Sequence, residues 1–517
     1  MERYGLNTYP RIDLRVAPEV DLDELAELLP GAGPGDAVGV PLPAALTATH
    51  LAVDLLAPNP MVESMLRRFL TAVTARIGGL DTRVAPPAWP ERIEKVLRIG
   101  KLPKRDIEEY FHLHGSRMQL RGEWPLLQDP RLREECTRRA PPGKLVMDRA
   151  SGNTQVWRPH TPESEPVPLA EAFGWLLAWQ GFGPSGMGAQ RRHSSVDSKN
   201  MVSGCLRCSV SYHPLAGTLF DSLVLGCPPP ELWPDPVGAD LAPWEQTVLP
   251  DPLLPRAVEG PVTLLTGRST HAVLLDIDGD LVTGCWVAWG TRAAAPVVRD
   301  PFVVQGPKAY RRADHRRHLL RDFDALVHAR TPADTGLKKE QMPAWLGVMA
   351  DMPADLIDRL GQVRVRALGM HQEKQEGGEE HWFAQTTPAS VAEFLPTHHP
   401  ERADRIKELS TEVDEAGKGM RKALTMAWAE IAPGSSGANP WIDRADHEFW
   451  DRCDRLFWDA VAQPEGPAPD FARLALDVYD TSTRSHADRP PGLTAIARRR
   501  EPLASAVRPA PKEGSLR

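Results

Sequence analysis

GFGPSGMGAQRRHSSVDSKNMVSGCLRC, from Gly181 to Cys208, joins an apolar helical run (Pro168 to Gln180) to a strand-like run and a short apolar helix (Ser209 to Gly226). A connection this long with no periodicity is uncommon inside a compact domain, and is usually functional or disordered. Its glycines permit close backbone approach. It also carries Arg191, Arg192, His193, Lys199 and Arg207 against a single acid, Asp197. A flexible, basic loop of this kind suits a polyanion, whereas composition by itself favours a disordered surface loop.

The bulk numbers bound the surroundings of this loop. At 517 residues the chain is too long for one core and implies two or three domains. Lys+Arg 61 against Asp+Glu 69 gives a net charge of −8, which argues against a surface that coats nucleic acid everywhere but leaves room for local basic patches. The six cysteines are sparse, the first residues lack an apolar signal core, and no apolar run is long enough to span a membrane. A cytoplasmic protein with reduced thiols and no membrane contact is the expectation.

Upstream, Arg11 to Val16 reads as a strand and Asp21 to Leu29 as an acidic helix. Leu42 to Leu56 and Val62 to Ile77 read as two helices. His112 and His114 are two apart, so they do not share a helix face and make no metal pair. The segment Lys144 to Pro166 is a loop, either a linker or a second binding loop. Downstream, Val262 to Leu265, His271 to Ile277 and Leu281 to Trp289 read as strands, the last two joined by an Asp278-Gly-Asp280 turn. Asp276, Asp278 and Asp280 alternate like the start of a calcium loop, but no Glu follows at its twelfth position.

Lys308 to Arg321 is the most basic window. On a helix, Lys308, Arg312 and Arg316 would share a face and, with Arg311, offer an anion site. Alternation in Val363 to Leu368 predicts a strand, and the polar, glycine-closed segment after it predicts a hairpin. From Pro388 onward the apolar spacing is helical, with Pro-Gly-Ser breaks, as in an antiparallel four-helix bundle. The expected fold is therefore α+β: a mixed N-terminal domain with β-rich parts over residues 1–386, a helical bundle over 387–508 and a disordered tail over 509–517.

Enzyme signatures are missing. There is no Walker loop, G-x-S-x-G elbow, H-E-x-x-H pair or dinucleotide fingerprint. Cys205-Leu-Arg-Cys208 is the one spacing with chemical promise. Zinc would need two further ligands, for which Cys227 and Cys285 are the available thiols and His213 a nearby imidazole. A thioredoxin-like role would need the pair at a helix start. The expectation is no cofactor and no catalysis, with a zinc-dependent enzyme or a protein-docking scaffold as the alternatives.

The order of features resembles the CasA family, the large subunit of the type I-E Cascade CRISPR effector. The resemblance is carried by Tyr110 to Gln128 ending Trp124-Pro-Leu-Leu-Gln128, by Pro168 to Phe182 followed by Pro184-Ser-Gly186, and by Ala216 to Leu225. Asp300-Pro301, Val363 to Met370 and the closing helices complete it. It implies a non-catalytic subunit that touches the guide RNA handle, reads a protospacer-adjacent motif in duplex DNA and helps open the duplex. It further implies other Cascade subunits as partners and recruitment of a nuclease-helicase. By position, the duplex wedge falls on Gln375, with Gln372 as the alternative and Lys374 beside them. The guide-handle loop falls around Gly152 and Asn153, with Lys144. The motif loop falls on Ser198, Lys199 and Asn200. There this sequence departs from the family's glycine run, which points to side-chain contact by Lys199 or Asn200. Lys308, Arg311, Arg312, Arg316, Arg191 and Arg192 are the expected contacts to the DNA backbone.

Overall fold

The computed structural model describes residues 9–149, 162–294, 298–306, 310–314, 318–328, 341–372, 380–434, 439–488 and 490–507 of the chain. The chain divides into two compact units, Met1–His315 with Thr331–Thr386, and Arg316–Arg330 with Thr387–Arg517. The fold is α+β, with small antiparallel sheets and helices in the first unit and, among the described residues, helices alone in the second.

The first unit is built around the helix Pro60–Ile77, buried on nearly every face. Asn59 starts it by accepting a hydrogen bond from the Val62 N–H at 3.0 Å, and Pro60 follows at the first helical position, where its missing N–H costs nothing. Asn59→Ala is expected to lower stability by about 1 kcal/mol, read from the denaturant midpoint.

Buried charges on this helix are all matched. Arg67 pairs with Glu63 and Asp54, and Arg366 closes on the same Glu63. Burial pushes the Glu63 carboxyl up, but Arg366 and Arg67 outweigh it and hold it below its ordinary value. Arg68 forks onto Asp300 at 2.7 and 2.9 Å. His213 lies 3.1 Å from Ser64 Oγ, and burial drives its pKa well down.

Three sheets surround the helix core. One runs in the order Ala37–Pro41, Arg11–Val16, Ala52–Leu56. The middle strand alternates exposed and buried residues, as a half-covered sheet requires. A second runs Glu380–Thr386, Arg364–Gln372, Val210–Leu215, and a third Val167–Pro168, Leu281–Trp289, His271–Asp278. Asp278-Gly279-Asp280 makes the turn in the third, with Gly279 at φ +53°.

Leu42 to Leu56 is not one helix. A short helix, Leu42–Thr47, gives way to a strand, Ala52–Leu56, that pairs with Arg11–Val16. Val262 to Leu265 is helical within Pro261–Thr266, because Pro261 opens the turn and the Asp240 carboxylate accepts from the N–H groups of Val262 and Thr263. Arg312 is not on a helix: it forms a β-bridge with Ser209, and the helix begins only at Leu320.

In the second unit, the helices Pro400–Ile431, Ile442–Ala462, Phe471–Thr483 and Pro490–Ala506 pack on one another. A further helix, Leu320–His328, joins them from the 316–330 segment that the sequence reading placed in the first domain. Phe323 meets Phe394, Phe457 and Trp458 edge-on, which ties this segment into the helical unit. The expected tail over 509–517 lies outside the described residues.

Candidate nucleic-acid interface

The stretch expected to be without structure is a β-hairpin. Gly186–His193 pairs antiparallel with Val196–Met201, and a two-residue turn at Ser194-Ser195 joins them, with Ser194 at φ +52°. One face of the hairpin lies on the Leu281–Trp289 strand. Gly188 makes that approach possible, because a Cβ there would sit 2.6 Å from the Val287 carbonyl oxygen.

Arg191 fixes the hairpin from beneath. Its side chain is 0% exposed, and its guanidinium donates to Glu135 Oε2 (2.6 Å), Asp129 Oδ2 (2.9 Å) and the Trp289 carbonyl (2.9 Å). Asp129 also holds Arg131 in two hydrogen bonds. Burial raises the Asp129 carboxyl, but Arg131 and Arg191 overcome this and leave it below its ordinary value. His193 Nδ1 lies 2.7 Å from Glu135 Oε1. Arg191 is therefore not a contact to a DNA backbone: its charge is matched inside the protein, and it positions the hairpin. Arg192 is exposed and pairs across the hairpin with Asp197 at 2.9 Å.

The opposite edge is free to meet a partner. Lys199 and Asn200 are exposed, and neither side chain has an ion pair or hydrogen bond among the described residues. Ser198 accepts through its backbone oxygen from Trp289 Nε1 (3.0 Å), and its hydroxyl oxygen accepts from the Asn200 N–H (3.2 Å). Met187, opposite Asn200 in register, and Val202 are exposed apolar residues at the same end. One cation, one amide and two apolar side chains thus stand on a rigid base. That set can contact a phosphate, hydrogen-bond a base edge and press on a base or sugar.

The turn after the hairpin ties it to the neighbouring sheet. Arg207 donates to the Phe182 carbonyl (2.8 Å) and to Gln372 Oε1 (3.0 Å). Gln372 ends its strand immediately before residues 373–379, which carry Lys374 and Gln375 and lie outside the described residues, as do Gly152, Asn153, Lys308 and Arg316. Lys144 is exposed in the turn Pro142–Lys144. Arg312 is exposed and Arg311 half-buried.

Among the described residues no three His, Cys, Asp or Glu side chains gather to hold a metal ion. His213 faces Ser64 in the core. Cys285 is buried in a strand, its thiol pushed up to about 12 by desolvation. Cys205 and Cys208 occupy a turn followed by a strand, not a helix start, and Cys208 takes φ +62°.

Comparison with known proteins agrees with this architecture. A family profile described as CRISPR-associated protein Cse1 matches residues 32–483. The chain belongs to the Cse1 family. It is 26% identical over 431 residues to CRISPR-associated protein CasA/Cse1 of Thermus thermophilus, covering 79% of this chain and 78% of that protein. A chain of a solved CRISPR RNA-guided surveillance complex superposes with a TM-score of 0.80 at 31% identity, covering 96% of this chain and 99% of the other. The solved structure of Thermus thermophilus CasA (Cse1) superposes with a TM-score of 0.69 at 20% identity, covering 98% of this Cse1 chain and 99% of that one, and so shares its fold. Among the described residues of this Cse1 protein, no helix is long and apolar enough to cross a membrane.

Proposed function

We propose that this Cse1-family chain is the large, non-catalytic subunit of a CRISPR RNA-guided surveillance complex, and that its Gly186–Met201 hairpin meets duplex DNA at the protospacer-adjacent motif. The observation that carries the reading is the near-complete match, at 31% identity, to a chain of a solved surveillance complex. The exposed Lys199 and Asn200, on a hairpin held by buried ion pairs, support the finer assignment. In such complexes base pairing with the guide reads most of the sequence, so the protein needs only a few motif and backbone contacts.

Within this reading Ser198, Lys199 and Asn200 form the motif edge, and Gln375 with Lys374 forms the wedge that opens the duplex. Gln372 is engaged by Arg207, which favours Gln375 for that role. Gly152, Asn153 and Lys144 meet the guide handle, and Lys308, Arg311, Arg312, Arg316 and Arg192 meet DNA phosphates. The subunit then recruits a nuclease-helicase. No cofactor enters, and the protein works in the cytoplasm beside the other Cascade subunits.

Co-expression with neighbouring genes and the adjacent repeat array tests this. A guide-sized RNA and several smaller proteins should co-purify, and the particle should bind target duplex in a motif-dependent way. Lys199→Glu should then lower affinity about tenfold at low salt and reduce the salt slope by about one. A chain that elutes alone and free of RNA would overturn the reading.

A further inference from the structure

The geometry points to Trp289 as a positioning residue that sets where Lys199 and Asn200 stand, and hence how well one motif is told from another. The inference rests on the reading of the hairpin as the motif contact and deepens it. Trp289 closes the Leu281–Trp289 strand and is 1% exposed. It holds both strands of the hairpin. Its indole N–H donates to the carbonyl of Ser198, in the peptide that leads into Lys199, and its own carbonyl accepts from Arg191 on the facing strand. Arg191 lies 5.0 Å and Arg292 4.6 Å from the indole ring, so the ring is held in orientation by cation–π contact.

The rest of the hairpin has little freedom. Arg191 is fixed by Asp129 and Glu135, and Gly188 sits directly on the strand below. The Val196–Met201 strand is different, since its outer edge carries the exposed Lys199 and Asn200. Its inner edge is held by pairing with Gly186–His193, and the bond from Trp289 to Ser198 adds the side-chain tie that fixes the carbonyl leading into the reading side chains. Removing the donor leaves the fold's charge network intact and lets the strand shift. Charge attraction to phosphate tolerates such a shift, because it falls off gently with distance. Hydrogen-bond readout of a base edge does not.

The test is competition binding by the assembled complex, comparing a motif-bearing target duplex with one whose motif is scrambled. Trp289→Phe should reduce the ratio of the two affinities about tenfold, the scale of one hydrogen bond, and leave affinity for the scrambled duplex and guide content unchanged. Amide exchange at Lys199 and Asn200 should be faster in the variant without DNA, with the Pro60–Ile77 helix unaltered. Should Trp289→Phe fail to fold, benzothienylalanine at position 289 keeps the bicyclic shape and removes only the N–H. A wild-type ratio in the folded variant, or unchanged exchange at Lys199 and Asn200, overturns the role of Trp289. A wild-type complex that shows no motif preference overturns instead the underlying reading of the hairpin.

Discussion

Asp300→Asn is expected to cost the first unit about 3–5 kcal/mol, because it breaks a buried ion cluster by removing one partner. Asp300 is 1% exposed and is the shared acceptor of two guanidiniums, Arg68 at 2.7 and 2.9 Å and Arg268 at 3.1 Å. It also accepts from the N–H of Phe302, whose ring lies 4.8 Å from the Arg68 guanidinium. An amide at position 300 keeps the shape but leaves two buried cations facing a neutral group. The cluster joins the Pro60–Ile77 helix, the Val210–Leu215 strand (through Ser211) and the segment after the third sheet, so its loss loosens the centre of the unit.

Urea unfolding followed by tryptophan fluorescence reads the cost. Adding Arg68→Met to the variant should cost less than Arg68→Met does alone, because the unpaired charge is then removed. The same site gives a pH dependence. Burial raises the Asp300 carboxyl, but Arg68 and Arg268 lower it more, so its folded-state pKa lies below the ordinary 3.8. A depressed pKa contributes stability that is fully present above the ordinary carboxylate range and is lost as pH falls below it. Wild-type stability should fall in that acid window, and the variant should lack this part of the slope. A variant that unfolds within about 1 kcal/mol of wild type would sink the account of the cluster.

How much of this was readable beforehand depends on whether the deciding interaction was local. The Asp278-Gly-Asp280 turn and the Arg364–Gln372 strand were legible, because turn chemistry and alternation lie within a few residues. The helices from Pro400 onward were legible for the same reason, whereas Leu320–His328, which joins them, was not. Ala52–Leu56 was not: its strand state depends on pairing with Arg11–Val16, about 40 residues earlier. Nor was the helix at Pro261–Thr266, whose start is capped by Asp240 from a distant loop.

The hairpin at Gly186–Met201 was hidden for a more specific reason. Its inward positions include Arg191 and His193, which satisfy the acids Asp129 and Glu135, so no hydrophobic alternation marks the strand. A buried arginine reads in sequence as a surface cation. Of the basic residues in this stretch, sequence alone could not separate the one that holds the hairpin from the one it displays. What separates Lys199 from Arg191 is what lies next to each in space. The fold shows which side chains of this stretch are exposed.

Gly204→Ala is expected to be the most damaging small substitution near the interface. A Cβ there would lie 2.3 Å from the Gly181 carbonyl oxygen, 2.6 Å from its carbon and 3.0 Å from the Gly183 nitrogen. All three are backbone atoms, so no rotamer change relieves the clash. Gly204 does not have positive φ, and the penalty is therefore steric and not conformational. The chain must separate, and this breaks the hydrogen bonds from the Gly204 N–H to Gly183 O (2.8 Å) and from the Leu206 N–H to Gly181 O (2.9 Å). Overpacking with two lost hydrogen bonds costs about 3 kcal/mol or more. The displaced turn also carries Arg207 away from Phe182 O and Gln372, so the hairpin loses its tie to the Arg364–Gln372 strand. Gly347 gives the contrast. It lies inside the helix Ala344–Ala350 with nothing within 4 Å of a Cβ, so alanine there should stabilise the helix by about 0.5–1 kcal/mol. Thermal melting of the two variants should move in opposite directions, and limited proteolysis should cut Gly204→Ala first near Arg191 to Arg207. Equal melting of Gly204→Ala and wild type would mean that the close approach of these two backbone segments does not hold the hairpin in place.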